Sequence, residues 1–397
     1  MPGNIKSIRK EDLKPGMYVQ SYGLGTFTDP LVEVGRFIES YDDIIKYLPD
    51  DTAKVEILTD KALSEKNEIR SERPKRSAEQ AAQELSAALP EARRIHEEAL
   101  DYARKFIQDV KDGKIIEVEE AEPMIGKVID SISTNGAAAL TLAFLKRYDE
   151  YTYTHCINVN LYSLLLGKAL GLERKQLEKL GIAAMFHDVG KGRVPNKVLN
   201  KPGKLTEQEF EVMKGHSMQG LNVLKEVRGL DLSILRGVVE HHERYGGNGY
   251  PRQLKGEEIH PFGRMIAIAD VYDALTSVRV YKEAMTPAKT LSLMFKWKGT
   301  DFDPAYLNRF IRIMGIYPPG TMVQLEDKRF ALVLETNESS PLKPKVKILF
   351  NRRMQPVQSE CIDLATFRKD GNELKVLRQP DPSELGIDLK QLARFLV

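Results

Sequence analysis

Met185-Phe-His-Asp-Val-Gly-Lys191 sets a histidine beside an aspartate, with a lysine following Asp188 at i+3. A second run, His241-His-Glu-Arg-Tyr-Gly-Gly-Asn-Gly-Tyr-Pro251, carries a histidine pair and then a glycine-rich loop. The chain has seven histidines, and His155, His187, His216, His241 and His242 all fall between positions 155 and 242. Imidazole nitrogens and carboxylate oxygens together are the ligands of Fe, Mn, Zn and their neighbours. The concentration predicts a multinuclear metal site assembled from several helices.

Composition bounds what can surround such a site. A chain of 397 residues is long enough for two or three domains and a sizeable core. Apolar residues make up 42% and charged residues 29%, which fits a soluble globular protein. The net charge of +2 argues against a polymer of nucleic acid as partner, so an anionic ligand must be held by a local cluster. Two cysteines far apart, Cys156 and Cys361, form no disulfide framework and fit a reducing cytoplasm. The first residues lack the apolar core of a signal peptide. No run reaches the roughly 18 apolar residues of a membrane span.

The expected fold is mainly α: a helical bundle with a small β-containing domain before it and a small β-rich appendage after it. Residues 1–60 form the first domain, with strands over 16–20 and 53–58. Residues 61–90 are charged and poor in large apolar groups at their start, and read as a linker. Residues 91–150 read as connecting helices, over 91–112, about 118–133 and 136–146. Residues 151–315 form the bundle, with helices over 153–170, 173–188, 206–225, 232–243, 261–277, 287–297 and 304–314. Thr206-Glu-Gln-Glu209 is a capping box, and Pro261 begins its helix in the first turn. Residues 316–397 form the appendage, with strands over 321–325, 331–335 and 345–350 and a closing helix over 388–396.

In this layout His155, His187, Asp188, His216, His241, His242 and Asp270 lie on successive helices, and facing helices of a bundle can bring such side chains together. Asp188 can bridge two cations, because a carboxylate has two oxygens. Two metals about 4 Å apart activate water at neutral pH and offset charge on a phosphoryl group. That chemistry suits phosphodiester hydrolysis. Lys191, Arg279 and Lys282 are the nearby cations suited to phosphate oxygens. The loop Gly246-Gly-Asn-Gly-Tyr-Pro251 lacks the Lys and Ser/Thr of a P-loop and reads as a lip carrying Tyr250.

These motifs, in this order, resemble those of the HD-GYP family of bacterial metal-dependent cyclic-dinucleotide phosphodiesterases. The resemblance rests on His187-Asp188, Lys191, Gly249-Tyr250-Pro251, Ala269-Asp-Val-Tyr-Asp-Ala-Leu-Thr-Ser277 and Gly299-Thr-Asp-Phe-Asp-Pro304, and covers about 150–315. The region before it resembles a small domain of unknown function often placed ahead of this module. The resemblance implies an HD-type bundle whose metal ligands are His155, His187, Asp188, His216, His241, His242 and Asp270. It implies catalysis by His187, Asp188 and Lys191, with Lys191, Tyr250, Arg279 and Lys282 contacting substrate. It implies hydrolysis of cyclic di-GMP to linear pGpG, and onward to GMP, in cytoplasmic second-messenger signalling. Tyr151 stands where some members carry a glutamate that completes a third site, so two divalent transition metals are expected, Fe or Mn first, with Zn or Ni also accepted. Val278 and Val280 flank Arg279 in place of the usual Asp and Pro, and Gln253 replaces a common glycine. Diguanylate cyclases or other signalling proteins docking on the Gly-Tyr-Pro loop, and a homodimer, are compatible partners.

Blander readings apply elsewhere. His96 reads as a surface histidine and His260 as a turn residue. Glu243 reads as a helix-end residue or a supporter of its histidine neighbours, Cys156 as core, and Asp273 chiefly as a packing and hydrogen-bonding residue. Phe295, Trp297 and Phe302 read as core. Two further functions compete with cyclic di-GMP hydrolysis: hydrolysis of another nucleotide such as cyclic GMP-AMP, and a non-catalytic cyclic-dinucleotide sensor or adaptor.

Overall fold

The computed structural model of the chain describes residues 5–10, 13, 17–24, 32–37, 52–58, 77–114, 116–145, 151–277, 284–337, 340–369, 371–380 and 382–385. The chain divides into two compact units, Met1–Arg76 and Ser77–Val397.

In the first unit, β1 (Ile5–Ile8), β2 (Tyr18–Leu24), β3 (Val32–Phe37) and β4 (Thr52–Leu58) form one antiparallel sheet in the order β1-β4-β2-β3. Among the described residues, Leu13, Val19, Val55 and Ile57 are the buried apolar residues of this unit. Alternation along β4 puts Val55 and Ile57 on one face, the signature of a half-buried strand.

The second unit opens with α1 (Ala78–Lys111). This corrects the expected linker over 61–90: its last part is helix. Ser77 Oγ accepts from Gln80 N at 3.1 Å while Gln80 Oε1 accepts from Ser77 N at 2.9 Å, a reciprocal cap that starts the helix abruptly. Pro90, which lacks a backbone donor, lies inside the helix, and such a proline costs about 3 kcal/mol. Tertiary packing overrides it, because Ala81, Leu85, Leu89 and Ala92 recur at helical spacing and are buried. His96 lies on the same buried face, so the surface reading is wrong; its charged sequence neighbours point the other way. The rest of the expected linker, 61–76, lies outside the described residues.

α2 (Ala121–Leu145) packs beside α1. Asn135 has non-helical backbone angles and its Oδ1 accepts from Ala138 N at 3.2 Å, so the two expected helices are two halves joined at a capped kink. The bundle follows: α3 (Tyr151–Ala169), α4 (Arg174–Met185), a 3-10 turn over Val189–Arg193, α5 (Asn196–Leu199), α6 (Glu207–Lys214), α7 (His216–Lys225), α8 (Leu232–Glu240), α9 (Pro261–Thr276), α10 (Pro287–Lys296) and α11 (Pro304–Met314). The helix expected over 206–225 is broken at Gly215, which joins α6 to α7. Tyr162, Tyr272 and Phe310 meet edge to face at the bundle centre, Tyr162 and Phe310 each about 5 Å from Tyr272. Of the aromatic set read as core, Phe302 is buried and Trp297 half-buried, but Phe295 is exposed with Lys298 Nζ over its ring at 4.7 Å.

The appendage is a five-stranded antiparallel sheet in the order β11-β5-β6-β7-β8, with β5 (Met322–Leu325), β6 (Phe330–Glu335), β7 (Lys345–Phe350), β8 (Pro356–Asp363) and β11 (Val376–Arg378). β9 (Arg368–Lys369) and β10 (Asn372–Glu373) pair separately. One face, with Met322, Leu332 and Leu334, packs on Leu85, Leu89 and Leu142 of α1 and α2. The other, with Val323, Val333 and Ile348, forms its own small core. The closing helix expected over 388–396 lies outside the described residues.

The last turns of α1 reach the motif. Phe106 stacks edge-on against Phe186 at 4.8 Å, and Phe186 immediately precedes His187. Phe106→Ala is expected to cost about 3–5 kcal/mol, measured by urea unfolding of the full chain.

Candidate metal centre

Three histidines of the centre are aimed by local bonds. His187 follows the end of α4 and donates Nδ1–H to Ala184 O at 2.8 Å. His216 opens α7 and donates to Met213 O at 2.7 Å. His241 caps α8 and donates to Val238 O at 2.6 Å. All three reach the carbonyl at i−3, which holds the ring and leaves the Nε2 lone pair facing inward. His155 on α3 is held differently: its Nδ1 lies 2.7 Å from Asp273 Oδ2, and Asp273 Oδ1 accepts from Asn158 Nδ2 at 2.8 Å.

These rings converge on one carboxylate. Asp188 Oδ2 lies 3.5 Å from His155 Nε2 and 3.3 Å from His187 Nε2, and it also takes an ion pair from Lys191 Nζ. Asp188 Oδ1 lies 3.3 Å from His216 Nε2 and 3.8 Å from His241 Nε2. Asp270 on α9 places Oδ1 3.3 Å from His155 Nε2 and Oδ2 3.9 Å from His242 Nδ1. Two groups able to hold a cation result, His155–His187–Asp188 and Asp188–His216–His241–His242, and they share Asp188. All the residues expected as ligands therefore meet in one pocket.

The donor set fits metal ions. His216 Nε2 lies 3.1 Å from His242 Nε2 and 3.5 Å from His241 Nε2. With Nδ1–H of His216 and His241 already spent on carbonyls, their Nε2 lone pairs face each other, and a cation among them turns repulsion into coordination. His187 Nε2 and Asp188 Oδ1 are buried polar atoms that make no hydrogen bond, which costs free energy unless something binds them. Protonation states agree with ligation. Burial pushes His241 down to about 3 and His242 well below the usual imidazole range, with neighbouring imidazoles adding to the shift, so both are neutral. Burial opposes ionisation of Asp188, yet Lys191 and His187 hold it well below the usual carboxylate range. Burial likewise opposes ionisation of Asp270, yet His155, with His242 and His187, holds it well below the usual carboxylate range.

Close backbone approach makes this convergence possible. A Cβ on Gly190 would lie 1.9 Å from His216 O, so only glycine lets the turn after Asp188 cross the start of α7. A Cβ on Gly249 would lie 2.3 Å from Arg244 N, which fixes glycine before Tyr250. The loop is tied down at both ends. Glu243, buried, accepts from Arg252 N at 2.7 Å and Leu254 N at 3.1 Å. Gly246 N donates to Thr300 O at 2.7 Å. Tyr250 stacks at 4.7 Å from His242, and burial raises its phenol well above the usual range. Gln253 takes the left-handed backbone (φ +57°) that a glycine there would adopt without strain.

Sequence reasoning underweighted Asp273 and passed over Asn158. Each lies at i+3 from an expected ligand, Asp270 and His155 respectively, and so shares its helix face. Cys156 is buried, and burial raises its thiol to about 12, as a core role requires. His260 caps α9, accepting from Phe262 N at 3.2 Å. Arg279 and Lys282 lie outside the described residues, as does the side chain of Tyr151.

The match to known families follows this geometry. Residues 137–306 match an HD domain, 5–121 a Domain of unknown function (DUF3391), and 322–369 a KOW domain associated with HD domain. The chain is 33% identical over 377 residues to the cyclic di-GMP phosphodiesterase PA4108 of Pseudomonas aeruginosa, covering 91% of this chain and 89% of that one. The chain belongs to the HD-GYP family. It is also 42% identical over 178 residues to the cyclic di-GMP phosphodiesterase response regulator RpfG of Xanthomonas campestris, covering 43% of this chain and 47% of that one. It is 36% identical over 154 residues to a 3'3'-cGAMP-specific phosphodiesterase 2 of Vibrio cholerae, covering 38% of this chain and 30% of that one.

Two outcomes follow for this HD-GYP centre. Asp273→Ala should weaken metal affinity by about 10–100-fold, because His155 loses its orienting partner; titration of the metal-free protein measures it. Gln253→Gly should raise stability by up to about 1 kcal/mol by relieving left-handed strain, read from chemical unfolding.

Proposed function

We propose that the chain is a metal-dependent phosphodiesterase that hydrolyses cyclic di-GMP to linear pGpG, with GMP the product of a second cut. The observation that carries this reading is the single carboxylate of Asp188 set between two groups of imidazoles. The relatives named above, cyclic di-GMP phosphodiesterases over nearly the whole chain in one case, support the substrate.

His155, His187, Asp188 and Asp270 would hold one divalent cation, and Asp188, His216, His241 and His242 the other. Fe or Mn suits this set first, with Zn or Ni also accepted. Bound cations supply the acidity that makes water a nucleophile at neutral pH and the charge that offsets the phosphoryl oxygens. The chain's own residues do the rest. Neutral His241 and His242 keep their lone pairs available at physiological pH. Attack of water on phosphorus breaks the bond to the ribose 3′ oxygen. Lys191, in an ion pair with Asp188 beside the centre, hands its proton to that departing oxygen and regains one from the attacking water. Arg279 and Lys282, which follow α9 in sequence, grip the phosphates, and Tyr250 borders the substrate.

Second-messenger turnover places the activity in the cytoplasm, and no helix among the described residues is long and apolar enough to cross a membrane. The loop at 246–251 offers a docking point for signalling proteins such as diguanylate cyclases, and the chain is compatible with a homodimer. A second reading, cyclic GMP-AMP as substrate, has support from the Vibrio cholerae relative.

Asp188→Ala and His187→Ala should reduce turnover of cyclic di-GMP to background, with metal content lowered and the circular dichroism of the bundle retained. Chromatography of products from cyclic di-GMP and cyclic GMP-AMP, with elemental analysis of anaerobically purified protein, tests this. Undiminished hydrolysis by Asp188→Ala would remove the mechanism. Tight binding without hydrolysis by the metal-loaded protein would favour the sensor.

A further inference from the structure

α6 lies on the surface beside the metal centre and buries none of its residues, yet it carries an exposed phenylalanine. Phe210 is 46% exposed. A single exposed apolar residue is ordinary on a protein surface. What distinguishes this one is its neighbours. Lys214, one turn along the same face, holds Nζ 5.0 Å from the Phe210 ring centre and 5.8 Å from the Tyr250 ring centre. Tyr250 in turn stacks on His242 of the metal centre. The same ammonium pairs with Glu211 Oε1 at 2.5 Å, and the Glu211 side chain is mostly exposed. An aromatic face, a cation and a carboxylate thus stand together one aromatic ring away from the metal ligands.

The helix that carries them is fixed. Thr206 Oγ1 accepts from Glu209 N at 3.3 Å, Glu209 Oε2 accepts from Thr206 N at 2.7 Å, and Lys201 pairs with Glu209. A platform held at its start loses little freedom when a ligand lands on it.

The chemistry matches one purine and mismatches the other. Guanine presents acceptors at O6 and N7, which lysine reads, and donors at N1 and N2, which a carboxylate accepts. Adenine shares the N7 acceptor but presents a donor at N6 where guanine has O6, and no donor at N1, so an ammonium at the six position would face N–H groups and a carboxylate would face a lone pair. The flat face of either base stacks on an aromatic ring.

Resting on the proposed phosphodiesterase function, we infer that Phe210, Glu211 and Lys214 form a seat for one guanine of the substrate and set the preference for guanine over adenine. Phe210 stacks under the base, Lys214 donates to O6, and Glu211 accepts from N1–H and N2–H. The second base of the cyclic dinucleotide lies elsewhere, so a substrate with one guanine can still use the seat.

The test uses the full metal-loaded chain with cyclic di-GMP, cyclic di-AMP and bis(4-nitrophenyl) phosphate, a diester with no purine. Phe210→Ala should raise KM for cyclic di-GMP about tenfold with little loss of kcat, lowering its kcat/KM relative to the purine-free diester. Phe210→Trp should restore it. Lys214→Gln and Glu211→Gln should each cut the ratio of kcat/KM for cyclic di-GMP over cyclic di-AMP about tenfold. Wild-type ratios in the Lys214 and Glu211 variants would overturn the seat, as would a Phe210→Ala loss shared equally by the purine-free diester. A wild-type protein that cleaves the purine-free diester but neither dinucleotide would overturn the functional reading beneath it, and the seat with it.

Discussion

A buried carboxylate that must serve two sets of imidazoles is the constraint around which the bundle is arranged. Asp188 turns one oxygen toward His155 and His187 and the other toward His216 and His241. An anion buried this deeply is unfavourable unless positive charge faces it on both sides. Lys191 answers on one side only. The convergence of imidazole nitrogens, two of them with lone pairs opposed at close range, makes structural sense when cations complete the charge balance.

The remaining architecture brings distant elements to that point. Gly190 allows backbone to touch backbone where the turn after Asp188 crosses α7, an approach that no side chain would permit. The break at Gly215 starts α7 afresh, so that His216 stands at its first position and reaches back to Met213. Asp273 couples α9 to α3 through His155 and Asn158. Behind the motif, Phe106 from the long connecting helix packs on Phe186. The N-terminal half of that same helix packs on the C-terminal sheet. Both contacts sit on one rod, so its lodging bears on the appendage and the metal centre together.

The Gly-Tyr-Pro loop shows how a polar clamp can replace regular structure. Glu243 satisfies two loop amides from a buried position, and Gly246 and Tyr245 pair with the backbone at 300–301. The loop is therefore held from both sides while Tyr250 remains against His242. Gln253 keeps the left-handed turn without the residue best suited to it, which indicates that the clamp dictates the backbone there.

What the sequence by itself determined was the local part: the helical periodicity of 151–315, the capping box at Thr206, the short apolar strand runs of the appendage, and the inventory of imidazoles and carboxylates in an order that marks the family. Those signals survive in sequence because they depend on neighbours at i+2, i+3 and i+4. What only the tertiary structure decided were properties set by partners far along the chain. Leu85 and Leu89 in the helix over 78–90 are buried because the distant C-terminal sheet covers them. His96 is buried, and Phe295 exposed, by the same kind of long-range packing. The pairing of His155 with Asp273 joins residues 118 positions apart, and the division of ligands across the two oxygens of Asp188 depends on four helix ends meeting. No local pattern encodes such distances, because close packing among elements, rather than spacing along one of them, sets where each side chain finishes.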